Sequence, residues 1–238
     1  MPLAEEAKIL AVDSSSMVGS VALCQGETLI AESVLNVRCT HSEKLLGQID
    51  LLLAEAGWQL QDLDLLVAVT GPGSFTGLRI GIATIKGLAQ VLDKPVVGIS
   101  SLQMLAMNLP LSTVPICVFM DARKKEVYSQ LFSWTPEGPV AQGDAQVVPP
   151  DLLLQQIDQQ VALVGDGVPL YRQQIEEILA DNALLPIASA HQPRASQAAW
   201  LGWRALVNDE VSTVAELLPI YIRPSDAELS QKKKTKPI

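Results

Sequence analysis

The stretch TGPGSFTGLRIG at residues 70–81 decides how the rest of the chain is read. An apolar run, LLVAV at 65–69, leads into it, a loop of small residues follows, and a long apolar helix is predicted to begin near Gly77. Gly71 and Gly73 flank Pro72, so positive φ is available on both sides of a residue whose own φ is fixed. Ser74 or Thr76 can cap the helix, leaving backbone N–H groups and the positive end of its dipole facing the loop. A strand, glycine loop and helix start of this kind can hold an anion. A plain tight turn between strand and helix explains the same residues. The loop is not of the GxxxxGK[ST] kind and lacks GxGxxG spacing.

The helix after the loop carries Leu78, Ile80, Ile82, Ala83, Ile85, Leu88, Ala89, Val91 and Leu92 around nearly its whole circumference, broken mainly by Arg79, Thr84, Lys86 and Gln90. A helix apolar all round is buried all round. The face turned away from its own sheet is therefore expected to meet either a second helix of this chain or another chain. Gly77 and Gly81, four residues apart, offer a smooth patch for close helix approach. The helix is too short and too charged to cross a membrane.

The 238 residues suffice for one large domain or two small ones. Hydrophobic residues make up 48% and charged ones 18%, which suggests buried surface beyond one monomer's core. A net charge of −9 argues against autonomous nucleic-acid binding, so any RNA contact has to be local or shared with a partner. No signal peptide and no spanning run is visible, and the expectation is a cytoplasmic protein without a membrane partner. Cys24 and Cys117 sit in apolar strand patterns and read as core residues. Cys39 and His41 are two apart, but with His191 the one further histidine no metal site is expected.

Residues 8–13 (KILAVD) read as a buried strand ending in Asp13, followed by Ser14, Ser15 and Ser16 in a turn. Strands are predicted over 18–24 and 28–35, and a helix over 41–56 with Ser42 as cap and Gly57 as stop. The glycine loop, its helix and a strand over 96–99 complete the first half. The second half repeats the layout. A strand over 116–120 ends in Asp121, strands follow over 126–134 and through Val148, a helix follows Pro149 and Pro150, and a strand over 161–164 leads into Gly165-Asp166-Gly167 and a helix over 168–180. Two like units, each with an Asp after its first strand and a glycine turn after a later one, imply an α/β protein of two mixed-sheet lobes facing a cleft. A further helix is predicted over 194–208, with Trp200 and Trp203 on one side, then an extended segment LPIYIRP at 218–224 and a basic tail. The expected lobes are 1–102 and 103–224, with 225–238 a flexible tail.

Four stretches, VDSSSMVGSVAL at 12–23, HSEKLL at 41–46, TGPGSFTGLRIGIATIKGLA at 70–89 and PIYIRPSDAE at 219–228, resemble the bacterial TsaB (YeaZ) family nearly end to end. The resemblance implies an actin-like ATPase (ASKHA, ribonuclease H-like) fold. It implies a role in supporting the paralogue TsaD, with TsaE, in threonylcarbamoyl transfer to the adenosine 3′ of the anticodon in tRNAs reading codons that begin with A. TsaD-like proteins carry an HxxxH pair for a metal. The matching positions here are Ser101 and Leu105, which hold no divalent ion, so the chain is expected to have no catalytic residue and no metal. Asp13, Ser14, Ser15, Gly71 and Gly73 would then be a vestigial nucleotide site, with no cofactor beyond weak ATP or ADP binding. The resemblance also implies that the helices over 41–56 and 78–92 pack on TsaD, or on a second copy when the chain is alone. The contacts would come from Leu45, Ile49, Leu52, Gly77, Leu78, Gly81, Ile82, Ile85 and Leu88, and tRNA would be met only through the complex.

A small ATPase or kinase of the same fold is the competing reading, carried by Asp13, Asp121 and the two glycine turns. A metalloprotease lacks its histidine pair. A serine hydrolase lacks a GxSxG elbow around Ser74 and an evident His–Asp partner.

Overall fold

The computed structural model describes residues 4–36 and 41–223. The first half builds β1 (Lys8–Asp13), β2 (Gly19–Gln25), β3 (Thr28–Leu35), α1 (His41–Ala56), β4 (Leu65–Gly71), α2 (Phe75–Leu92) and β5 (Val96–Ser100). Its five strands lie in the order β3-β2-β1-β4-β5, with β1 antiparallel to β2 and parallel to β4. After the short helix α3 (Ser101–Ala106) come β6 (Ile116–Asp121), β7 (Val127–Thr135), β8 (Gly138–Val148), α4 (Pro150–Leu154), β9 (Val161–Val164), α5 (Gly167–Leu170), α6 (Arg172–Leu179) and β10 (Ala183–Leu184). The second sheet runs β8-β7-β6-β9-β10, with β6 antiparallel to β7 and parallel to β9. The order matches that of the first sheet, so the sequence repeat is a repeat of topology. The helix predicted over 168–180 is two helices, α5 and α6, broken at Tyr171.

Burial explains the layers. Strand β1 reads as a continuous apolar run because both of its faces are covered. Leu10, Val12, Leu66 and Ala68 meet α1 and α2 on one side, whereas Ile9, Ala11, Leu65 and Val67 meet α7 (Ala195–Val207) on the other. Here the structure departs from the expected division at residue 102. Helix α7 crosses back from the second half onto the first sheet, close enough that a Cβ on Gly202 would strike the Val67 side chain. Ser212 then pairs with Val96, and the Ile220 N–H donates to the Thr70 carbonyl, so the chain from 195 to 220 belongs to the first lobe's packing. Glu32 on β3 anchors this return, accepting from the Arg194 guanidinium and from the Ser196 N–H in the first turn of α7.

The second sheet has α4, α5 and α6 on one face and α3 on the other. Cys24 and Cys117 are buried, as their strand patterns imply, and burial pushes their thiols up to about 12 and about 11. The side chains of 41–43 lie outside the described residues, and with them the cap assigned to Ser42 and the Cys39–His41 pair; so does the tail 225–238. Among the described residues no helix is long and apolar enough to cross a membrane.

Candidate functional site

The glycine loop closes on the chain itself. Helix α2 begins two residues earlier than its sequence suggests, with Ser74 and not Thr76 as N-cap, its hydroxyl accepting from the Gly77 N–H. The Ser74 N–H donates to the Ser15 carbonyl at 2.6 Å, and the Leu78 N–H to the Ser74 carbonyl. The N–H groups of Ser74, Gly77 and Leu78, which the sequence left facing the loop, therefore have partners within the protein. The glycines are there for closeness: a Cβ on Gly73 would strike the Ser15 carbonyl, one on Gly77 the Ser14 carbonyl, and one on Gly81 the Ser14 hydroxyl. Only Gly71 of the loop uses positive φ, 118°, and the Ile220 carbonyl lies against it.

The residues read as a vestigial nucleotide site are accordingly split. Asp13 and Ser14 are buried beneath the loop, Asp13 Oδ1 accepting from the Ser15 N–H at 2.9 Å. Of the five, Ser15 and Gly73 reach a cavity of about 380 Å³ that opens between the lobes, while Asp13, Ser14 and Gly71 do not line it. The first lobe contributes Ser15, Ser16, Met17 and the loop residues 73–76, and the second contributes residues 120–124, Tyr128 and Asp166. Tyr221 and Arg223 close the rim.

Two carboxylates face this cavity from the ends of β6 and β9. The Asp121 N–H donates to Asp166 Oδ1 at 2.9 Å, and the Asp121 carboxylate accepts from the Arg123 N–H and pairs with its guanidinium at 3.4 Å. Burial raises the Asp166 carboxyl above the usual range, the Asp121 N–H opposes that, and the neighbouring Asp121 charge adds to the rise. Arg223 reaches across to the Ala122 carbonyl and pairs with Glu126 at 3.1 Å. Sequence reading singled out Asp121 and the Asp166 turn as repeat features but missed Tyr128, Tyr221 and Arg223. No spacing links Arg223 to Ala122, 101 residues away.

The helix residues expected at a partner interface are also repositioned. Leu45, Ile49, Leu52, Leu78, Ile82 and Ile85 all lie in the core between α1, α2 and the first sheet, Ile82 being only 5% exposed. Gly77 and Gly81 are buried against Ser14, and Leu88 alone is half-buried. The apolar circumference of α2 is thus satisfied on one side by its own lobe. Outward on α2 are Phe75, Thr76, Arg79, Ala83, Gly87, Gln90 and Val91, and of these Thr76, Ala83, Gly87 and Val91, with Ile80 half-buried among them, form a row at spacings of three and four residues. Val91 is 84% exposed, and a Cβ on Gly87 would meet nothing. Helix α1, packed beside α2, likewise shows Gly47, Leu51 and Ala54 outward, with Leu51 56% exposed. At the equivalents of the histidine pair, Ser101 is buried and donates to the Pro72 carbonyl, and Leu105 is buried in the second lobe's core.

The family model for TsaD, tRNA N6-adenosine threonylcarbamoyltransferase, matches residues 29–231. The tRNA threonylcarbamoyladenosine biosynthesis protein TsaB of Bacillus subtilis is 35% identical over 92% of this chain and 96% of its own length. The protein of that name from Escherichia coli is 30% identical over 91% of this chain and 94% of its own. Among solved structures, YeaZ from Pseudomonas aeruginosa superposes with a TM-score of 0.78 at 28% identity, covering 90% of this chain and 99% of that one.

Proposed function

The chain belongs to the TsaB family of tRNA threonylcarbamoyladenosine biosynthesis proteins, and from that premise we propose that it is a non-catalytic subunit that binds and supports TsaD. Its fold is the two-lobed actin-like ATPase (ASKHA) fold. The observation that carries the proposal is the glycine loop, whose approach to Ser14 and Ser15 leaves no space for a phosphate between them. A loop that clasps its own β1–β2 turn is a scaffold element. The outward faces of α1 and α2, small and apolar at Gly47, Leu51, Ala83, Gly87 and Val91, supply a surface on which helices of TsaD, or of a second copy, pack closely. TsaE joins that pair, and the complex transfers threonylcarbamoyl to the adenosine 3′ of the anticodon in tRNAs that read codons beginning with A. No cofactor is required of this chain, and the interlobe cavity retains at most weak affinity for ATP or ADP.

The test is the modified-adenosine yield on tRNA from TsaD, TsaE and the enzyme that supplies their acyl donor, with this chain, without it, and with Gly87→Arg. Loss of yield without the chain and with the variant is expected. A yield indifferent to the chain overturns the reading. A second reading, a small ATPase or kinase, is favoured by Asp121 and Asp166 facing the cavity together. Magnesium-dependent ATP turnover by the purified chain decides for it.

A further inference from the structure

We infer that the rim of the interlobe cavity is a contact surface made by this chain itself for RNA, holding phosphates on a cationic turn and an unpaired base on an aromatic pair. The inference rests on membership of a tRNA-modifying family but goes beyond the pairing with TsaD. Three observations meet at one place.

The first is charge segregation. The protein carries 17 Lys and Arg and a net charge of −9. Arg123, Lys124 and Arg223 nevertheless converge on the cavity's mouth, Lys125 continues the same turn, and Arg79 sits against the rim residue Phe75. A chain that is acidic as a whole thus offers phosphates one local basic surface.

The second is the turn after β6. Arg123, Lys124 and Lys125 have φ of 61°, 55° and 60°, in the left-handed region that glycine enters freely and that other residues avoid. All three are exposed, the Arg123 side chain by 73%. A turn that three glycines would form more readily presents three long cations to solvent instead. Two of the cations pair with carboxylates of the same wall, Arg123 with Asp121 and Arg223 with Glu126, and Asp166 accepts from the Asp121 N–H, so a phosphate competes with those carboxylates for the two arginines.

The third is an exposed aromatic stack. Phe75 and Tyr221 lie with ring centroids 5.1 Å apart and are 40% and 41% exposed. The Arg79 guanidinium covers Phe75 at 3.8 Å from its centroid and donates to the Tyr221 hydroxyl at 3.1 Å. Aromatic rings braced by arginine beside a basic track are the means by which proteins hold unpaired bases with little sequence preference. Phe75 and Tyr221 line the same cavity as Arg123 and Lys124, and Arg223, two residues after Tyr221, bonds to Ala122 beside the cationic turn, so base and backbone contacts fall to one continuous surface.

The experiment is anisotropy of a labelled, unmodified anticodon stem-loop RNA with the full-length chain, between about 50 and 200 mM salt. The triple variant Arg123→Gly, Lys124→Gly, Lys125→Gly removes the cations while easing the backbone, and a melting temperature kept near the wild type's accompanies its binding measurement. It is expected to bind about tenfold more weakly, with a salt slope smaller by about 2, three phosphate contacts at about 0.7 each. Tyr221→Ala is expected to weaken binding about fivefold at an unchanged slope. Both variants still co-elute with TsaD if the pairing is right, which separates the two readings. Wild-type affinity in the triple variant overturns the inference, as does the absence of salt-dependent binding by the wild type. Binding abolished by truncation after Leu229 but untouched in the triple variant assigns the contact to the tail instead and also overturns it. RNA binding that ATP displaces and the triple variant retains assigns the cavity to a mononucleotide, and the inference falls in that case too.

Discussion

The Ser14 hydroxyl donates to the carbonyl of Gly77 across 2.8 Å of space and 63 residues of chain. This contact ties the end of β1 to the first turn of α2 and leaves no room for a side chain at Gly77. Gly77→Ala is therefore expected to destabilise by about 2 kcal/mol, because the backbone it meets cannot swing aside. Gly87→Ala, in the same helix with open space around it, should stabilise by about 0.5–1 kcal/mol through helix propensity and a less flexible unfolded chain. Urea melts of the two variants check the opposite signs.

Ile82→Glu and Gly87→Arg separate core from interface. Ile82 is enclosed by its own lobe, so a carboxylate there costs several kcal/mol and unfolds the chain or lowers its melting temperature sharply. Gly87→Arg places its side chain in solvent, keeps the melting temperature, and is expected to abolish co-elution with TsaD on gel filtration. An unfolded Gly87→Arg, or a well-folded Ile82→Glu, would contradict the packing described.

His191 introduces a pH dependence. It is 7% exposed, and its Nδ1 accepts from the Gly165 N–H at 3.4 Å. Burial, and then the Arg172 charge, hold its pKa below the ordinary value of 6.5. The unfolded chain takes up the proton first as pH falls, so the stabilisation present above about pH 6.5 is lost progressively below it. Thermal melts from pH 8 to pH 5 should show this decline in the wild type and a shallower one in His191→Gln.

Glu32 holds α7 in place. Its carboxylate, with a side chain 6% exposed, pairs with Arg194 and accepts from the first turn of the helix. Glu32→Ala is expected to cost about 2 kcal/mol, the worth of charge-assisted bonds at a helix start. The loss is read as a lower urea midpoint with an unchanged slope.

Cys24 and Cys117 are expected to stay unlabelled by maleimide in the native protein at pH 8 and to label in denaturant. Burial both shields them and keeps their thiolates scarce. Peptide mass spectrometry distinguishes them from Cys39.

The elements were legible because each had a local cause. Residues 28–35, 41–56 and 161–164 are strand, helix and strand over the spans their periodicity predicts, and the repeat of strand-Asp and glycine turn is a repeat of sheet order. The break at Tyr171 was not legible, and the sequence leaves the start of α2 between Ser74 and Thr76, of which Ser74 caps it. The candidate site was legible only in part. Asp13, Ser14 and the loop glycines stand out in sequence, but their burial follows from how closely the β1–β2 turn lies on α2.

Local composition by itself determined the two mixed sheets, the buried character of β1 and the glycine loop, because hydrophobic period and turn chemistry act within a few residues. Only the tertiary structure decided which face of α2 points outward, that α7 returns to the first sheet, and that Arg223 stands beside Ala122. Those outcomes depend on packing between segments distant in the chain, as in the 101-residue reach of Arg223 to Ala122, where close-packed surfaces select one arrangement and no local pattern records it.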